Sequence, residues 1–286
     1  MNLVQGAFRR ELVGVLAMLH FLAAYGVWWC STWGVPATAW VLAVVLYCVS
    51  SLGITVGYHR YFTHGAFWCV REVKYALAIA GALAGEGPLS RWCADHRQHH
   101  RFTDGDFDPH SPWSSRAGEG FKQSVLGFLW AHVGWICWET KRPDGFHPGV
   151  PVHDAAVVAW QERYYWHIVA AGFLVPFLLA GWAGFFLAGC IRMVAHFHAT
   201  WMVNSVCHLW GSHPLGPDGD VWKRDKSRNN VFVALVTMGE GWHGNHHVQP
   251  HAAQLGYRWY HWDPGKWLIH LFEGAHVARK VQRYTV

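Results

Sequence analysis

Residues 36–64 read PATAWVLAVVLYCVSSLGITVGYHRYFTH, an apolar run from Pro36 to Gly57 that leads into His59-Arg60-Tyr61-Phe62-Thr63-His64. The apolar part has the roughly 20 residues a helix needs to cross a bilayer. Two histidines therefore follow directly on the end of a candidate span. A similar run over 12–32 precedes it, too long for a signal core and without a small-residue cleavage site, so it reads as a first span. A second pair occupies 164–180 and 182–203, joined at Ala180-Gly181-Trp182 almost without a loop. The sequence thus predicts an all-α, polytopic membrane protein: four transmembrane helices in two hairpins (about 12–32, 36–57, 164–180 and 182–203), with both termini on one side.

Neither short connection, near Trp33–Pro36 or near Gly181, holds Lys or Arg, whereas Arg9, Arg10 and the long central and C-terminal segments are rich in them. Those segments are expected to face the cytoplasm, which makes one domain over 1–286 with a helical cytoplasmic cap from 58–163 and 204–286. The stretch 73–89 is apolar but broken by Gly81, Gly85, Gly87 and Pro88, and reads as an interfacial or re-entrant helix. Arg192 lies inside the fourth span, where a charge marks a function, a snorkelling side chain or a buried pairing.

Composition agrees with a membrane protein: 52% of the 286 residues are hydrophobic and 14% charged. Mean hydropathy is only +0.07, because much of the apolar surface is carried by 20 Trp, 16 Phe and 10 Tyr, of which Trp and Tyr suit the bilayer interface. The net charge of +5 flanks apolar spans instead of forming an arm, so it points to lipid head groups or an acidic redox partner and not to nucleic acid. The seven cysteines form no CxxC pair and read as small buried hydrophobes.

The 22 His outnumber the 18 carboxylates, and they cluster. Beyond His59 and His64, the sequence holds His96-Arg97-Gln98-His99-His100 and His243-Gly244-Asn245-His246-His247. On a helix, positions i, i+3 and i+4 share a face, so each triple fans over roughly 100° and serves two neighbouring ions better than one. His59 and His64, at i and i+5, diverge by about 140° on an ideal helix, so either they reach different metals or the helix ends between them. Asn204 and His208, at i and i+4, face the same way just past the fourth span. Nine imidazoles suit two ions. Nitrogen donors fit iron that must meet dioxygen, while ligand type alone leaves zinc and copper open. Asp95 and Glu240, next to the triples, are candidates to orient imidazole N–H groups. His20, His132, His167 and His270 read as packing residues.

These residues resemble the membrane fatty acid desaturases, in particular the stearoyl-CoA desaturase-like Δ9 branch. The likeness runs from Gly53-Ile54-Thr55 through the three histidine boxes, Asp108-Pro109-His110, His132-Val133-Gly134-Trp135, Gln161-Glu162-Arg163-Tyr164-Tyr165 and Ala199-Thr200-Trp201-Met202-Val203-Asn204-Ser205 to Gly239-Glu240-Gly241-Trp242-His243. It implies a di-iron (Fe2+) centre held by His59, His64, His96, His99, His100, His208, His243, His246 and His247, with Asn204 acting through a water, and a bent tunnel for an acyl chain. It also implies an O2-dependent removal of two hydrogens to leave a cis double bond, at position 9. Ala43 and Tyr47, one turn apart on the second span, are candidates for the tunnel end. Animal acyl-CoA members carry Arg where this chain has Ala94, and basic residues where it has Glu139 and Thr140, so CoA and lipid-linked substrates both stay open. The run from Asp104 to His110 and the His246-His247 region look closer to bacterial and cyanobacterial relatives, some of which act on lipid-linked chains, and a bacterial inner membrane is the expected location. No cytochrome b5 domain is visible, so electrons are expected from a separate ferredoxin or cytochrome b5 type donor with its reductase. A hydroxylase with the same histidines is the nearest rival. A metal transporter is remoter, since it needs ligands along a path within the spans.

Overall fold

The computed structural model describes residues 5–113, 120–149, 154–213 and 225–284; parts of the expected cap (114–119, 150–153, 214–224) and both chain ends lie outside the described residues. Helix α1 spans Arg10–Trp33 and ends at Gly34, whose φ of 79° with ψ of 167° is a backbone conformation essentially open to glycine alone. Pro36, extended, then starts α2 over Ala37–Leu52. The same helix continues over Gly53–Thr63 in wider turns, where His64 N–H reaches back five residues to His59 C=O.

Three helical runs among the described residues are long and apolar enough to cross a membrane: Arg10–Trp33, Ala37–Thr63 and Ala155–His208. The third is not straight. Helix α6, Ala155–Ala183, breaks at Ala180 (φ −142°) and Gly181 (φ 59°, ψ −149°). The chain then returns through Gly184–Ile191 into α7, Arg192–Ser205. Close approaches pair Gly184 with Pro176, Gly189 with Phe173 and Gly172 with Arg192, so the two arms run antiparallel. The break falls where the sequence placed the connection. The first arm, however, begins at Ala155 and not near 164, because the polar residues Gln161, Glu162 and Arg163 continue the helix below the apolar part.

Apolar side chains such as Phe21, Val44 and Leu178 stay exposed along these helices, and Trp33, Trp40 and Trp182 are exposed near the two turns. Such an unpartnered surface with indoles at one level suits lipid and its interface. Between the helices, Leu19 and Ala23 of α1 pack with Phe186, Cys190, Met193, Phe197 and Trp201. All seven cysteines are free.

Helix α3, Arg71–Ala82, has 12 residues and so is about 18 Å long, too short to span a bilayer. It crosses the extension of α2 at near backbone contact: a Cβ on Gly53 would sit 2.2 Å from the Ala80 carbonyl carbon, and one on Gly81 would sit 2.3 Å from the Tyr58 ring. Arg192 resolves as a buried brace. Its Nη1 donates to Leu83 C=O, just past the end of α3, and its Nε to Ala188 C=O. Helix α4, Leu89–Phe102, carries the second histidine box, and α5, Gly120–His132, packs on α7. Two small antiparallel ribbons supplement the helices: β1 (Gln5–Phe8) with β3 (Trp138–Thr140), and β2 (Trp68–Cys69) with β4 (Ala278–Arg279).

Candidate metal centre

All nine expected histidines converge at the end of α2. His59, His64, His96, His100 and His246 form one group and His99, His208, His243 and His247 a second; within each, one ring nitrogen per residue lies within 4.8 Å of all the others. In the first group, Nε2 atoms are 2.9 Å apart for His59–His246 and His100–His246, and 3.0 Å for His64–His96 and His96–His100. In the second, His208–His243 is 3.0 Å and His99–His247 is 3.2 Å. The groups adjoin, with the His100 and His247 rings stacked at 4.4 Å.

The helical fan explains the division. On α4, His96 and His100 at i and i+4 enter the first group while His99 enters the second. On the short helix His243–Val248, His243 and His247 go together and His246 goes to the other group. His59 and His64 do not serve different groups. The helix ends at Thr63, and its wide turns bring residue i+5 nearly above residue i, so both rings enter the first group with centroids 5.0 Å apart.

Carboxylates behind the rings decide which way the nitrogens face. His99 Nδ1–H donates to Asp108 at 2.8 Å, His208 Nδ1–H to Asp104 at 3.0 Å and His247 Nδ1–H to Asp225 at 2.8 Å. Glu240 lies 2.6 Å from His59 Nδ1 in a bent contact and also accepts from Thr55 Oγ1. A neutral imidazole has one N–H. Once that proton is given to a carboxylate, the Nε2 facing the centre offers only a lone pair. Burial, and then the neighbouring imidazoles, hold His64, His96, His99, His100, His243 and His246 well below the usual histidine range, in the neutral form that binds metal. His99 and His247, both oriented this way, turn lone pairs toward each other at 3.2 Å, which is repulsive unless a cation lies between them, and the two groups of ring nitrogens fit one metal ion each.

Asp104, Asp108 and Asp225 were not assigned this role from sequence, although an acidic run, Asp104 to Asp108, beside a histidine box was a usable signal. His110 joins them, close to His99 and Asp108. Glu240 does contact a ring, as expected. Asp95 does not: its carboxylate takes Arg142 at 3.1 Å and Arg91 at 3.4 Å, because it points about 100° away from His96 around the helix. Among the described residues no hydrogen bond joins Asn204 to an imidazole of either group; it lines a cavity whose wall includes His96 and His110, with Leu12, Leu16, Phe197 and Trp201 as its apolar side. Ala43 packs on Ala183, Leu187 and Ala188. Tyr47 donates to Val236 C=O at 2.7 Å and lies edge-on to His196. His20, His198 and His132 form a separate hydrogen-bonded row.

Over residues 37–279 the chain matches the fatty acid desaturase family. It is 35% identical over 271 residues to the sn-2 palmitoyl-lipid 9-desaturase of Nostoc sp., covering 92% of this chain and 87% of that one. The chain belongs to the fatty acid desaturase family. It is also 36% identical to a probable acyl-CoA desaturase of Schizosaccharomyces pombe over 88% of this chain, which spans half of that protein's length. A hex-5-enoyl-[acyl-carrier protein] acetylenase of Moorena producens is 35% identical, over 80% of this chain and 72% of its own. As a member of this desaturase family the chain is an oxidoreductase of lipid metabolism.

Proposed function

We propose that this desaturase introduces a cis double bond, at position 9, into a long saturated acyl chain carried by CoA or by a lipid, using two iron ions and O2. One observation carries the reading: two adjacent, wholly histidine-lined metal groups stand beside a cavity with an apolar wall. Bound iron would supply the redox chemistry with dioxygen that an unactivated methylene requires, since such a carbon offers no acidic proton to a side-chain base.

The chain's own residues do the rest. Leu12, Leu16, Phe197 and Trp201 hold the acyl chain and exclude water, and the cavity brings it past His96 and Asn204. Choice among near-identical methylenes is then a matter of position alone. Asp104, Asp108, Asp225 and Glu240 fix their imidazoles in one tautomer and orientation. Asn204 reaches the centre through a water. Ala43 and Tyr47 help to set where the chain end stops; Tyr47→Ala is expected to lengthen the preferred acyl chain, and an unchanged product profile would remove them from that role.

The folded-back third run supports a reading of four spans; we place the histidine centre and a cap from 58–163 and 204–286 on the cytoplasmic side of a bacterial inner membrane, following the Lys and Arg distribution. Electrons come from a separate ferredoxin or cytochrome b5 type protein. The test is expression in a desaturase-deficient host, wild type beside His100→Ala, with products read by gas chromatography and mass spectrometry. A monounsaturated chain from the wild type alone is expected. A hydroxylated chain would identify a hydroxylase instead.

A further inference from the structure

Glu86 and His196 form a buried pair that the site above does not use. Glu86 stands in the turn between α3 and α4, flanked by Gly85 (φ +77°) and Gly87 (φ +110°). His196 is on α7, and its Nδ1 lies 3.3 Å from Glu86 Oε1. Neither atom has a well-formed hydrogen bond, and the two side chains are 6% and 2% exposed. The second carboxylate oxygen accepts the Trp92 indole N–H at 3.1 Å. Two ionisable groups buried with unsatisfied atoms are costly, and such groups concentrate where chemistry needs them.

Their surroundings give the pair two outlets. Glu86 lines the same cavity as His96 and Asn204. His196 lines a second, much smaller cavity with Ser51, Thr200, Thr237 and Glu240, the carboxylate beside His59, and Thr200 borders both. Ser51 Oγ is buried there without a partner. A small void edged by hydroxyls, an imidazole and an unpartnered hydroxyl is the setting in which a single water is held. From α2, the ring of Tyr47 covers His196. Of the other charged groups at the larger cavity, Arg91 and Asp95 pair with each other, and Arg9 keeps one buried guanidinium nitrogen without a partner.

We infer that Glu86 and His196 are a proton-donating pair that serves the reduction of dioxygen from inside the acyl cavity. This rests on the desaturase reading, whose balance is R–CH2–CH2–R′ + O2 + 2e− + 2H+ → R–CH=CH–R′ + 2H2O, with the electrons from the external donor protein. Two C–H bonds and the oxygen–oxygen bond break, the carbon–carbon π bond forms, and four O–H bonds form. Two of the four hydrogens come from outside the substrate. An acyl chain seated against the apolar wall excludes bulk water, so a proton for the oxygen has to be held by the protein. The pair offers it two facing sites, Glu86 Oε1 and His196 Nδ1, 3.3 Å apart. Glu86 passes it to the oxygen being reduced, and the pair takes a replacement from the small cavity beside His196.

The test uses full-length, iron-loaded protein with its electron donor, comparing wild type, Glu86→Gln and His196→Gln. Each variant is expected to keep wild-type iron content, to form alkene about 10²-fold more slowly, the lower end for lost acid–base assistance, and to release more hydrogen peroxide per alkene. Zinc-loaded protein, which cannot turn over, supplies a second readout. Its infrared difference spectrum should contain a carboxyl band that shifts in D2O and is missing from Glu86→Gln. Wild-type coupling in both variants, or no such band, would overturn the inference while leaving the desaturase intact. Wild-type protein that makes no alkene would overturn the desaturase reading and this inference with it.

Discussion

Three carboxylates, Asp104 and Asp108 just past the second box and Asp225 well before the third, turn three of the four rings of the second group toward one point. Removing one frees an imidazole to rotate and change tautomer, and losses of this kind typically weaken metal binding 10–100-fold. Asp225→Ala is therefore expected to lower metal affinity by about that factor, measured by titrating metal into chelator-stripped protein. Asp95→Asn, beside His96 yet bound to Arg91 and Arg142, is expected to leave the affinity unchanged. Adjacency in sequence suggests Asp95, and the acidic run from Asp104 to Asp108 stands beside the second box, but nothing local ties Asp104 to His208, 104 residues away, or Asp225 to His247, 22 residues away. The ligands themselves were legible because i, i+3, i+4 spacing states its own geometry. Their carboxylate partners were not, because loops bring them there.

Among the elements, the crossing of α2 and α3 sets where His59 stands. A side chain on Gly53 would enter the backbone of Ala80 and Gly81, and overpacking of this kind costs about 1–3 kcal/mol. Gly53→Val is expected to lower the melting temperature in detergent and to reduce bound metal together, whereas Gly14→Ala, with open space around it, should change neither. The span pattern was readable from apolar run lengths, and the turn at Ala180-Gly181 from the absence of a loop. The wide turns over Gly53–Thr63 were not, since histidine spacing converts to direction only through the 3.6-residue period, and here the bonds reach back five residues. That one difference moves His64 into the same group as His59.

Over the molecule as a whole, concentrating so many neutral imidazoles in a dry pocket links stability to protons and to metal. Six of the rings have their pKa lowered by burial and by one another. In metal-free protein the unfolded chain takes up protons below about pH 6.5 that the folded chain refuses, so stability falls as the pH drops through and below that value. The melting temperature of chelator-treated protein should be lower at pH 5.5 than at pH 7.5, and an equal or higher value at pH 5.5 would contradict neutral buried rings. Metal bound only by the folded state should raise the melting temperature at either pH.

Anomalous X-ray scattering at the iron edge, from crystals of iron-loaded protein, locates the metals directly. Two peaks are expected, one among His59, His64, His96, His100 and His246 and the other among His99, His208, His243 and His247. A single peak, or peaks away from these nine side chains, would contradict a paired iron centre.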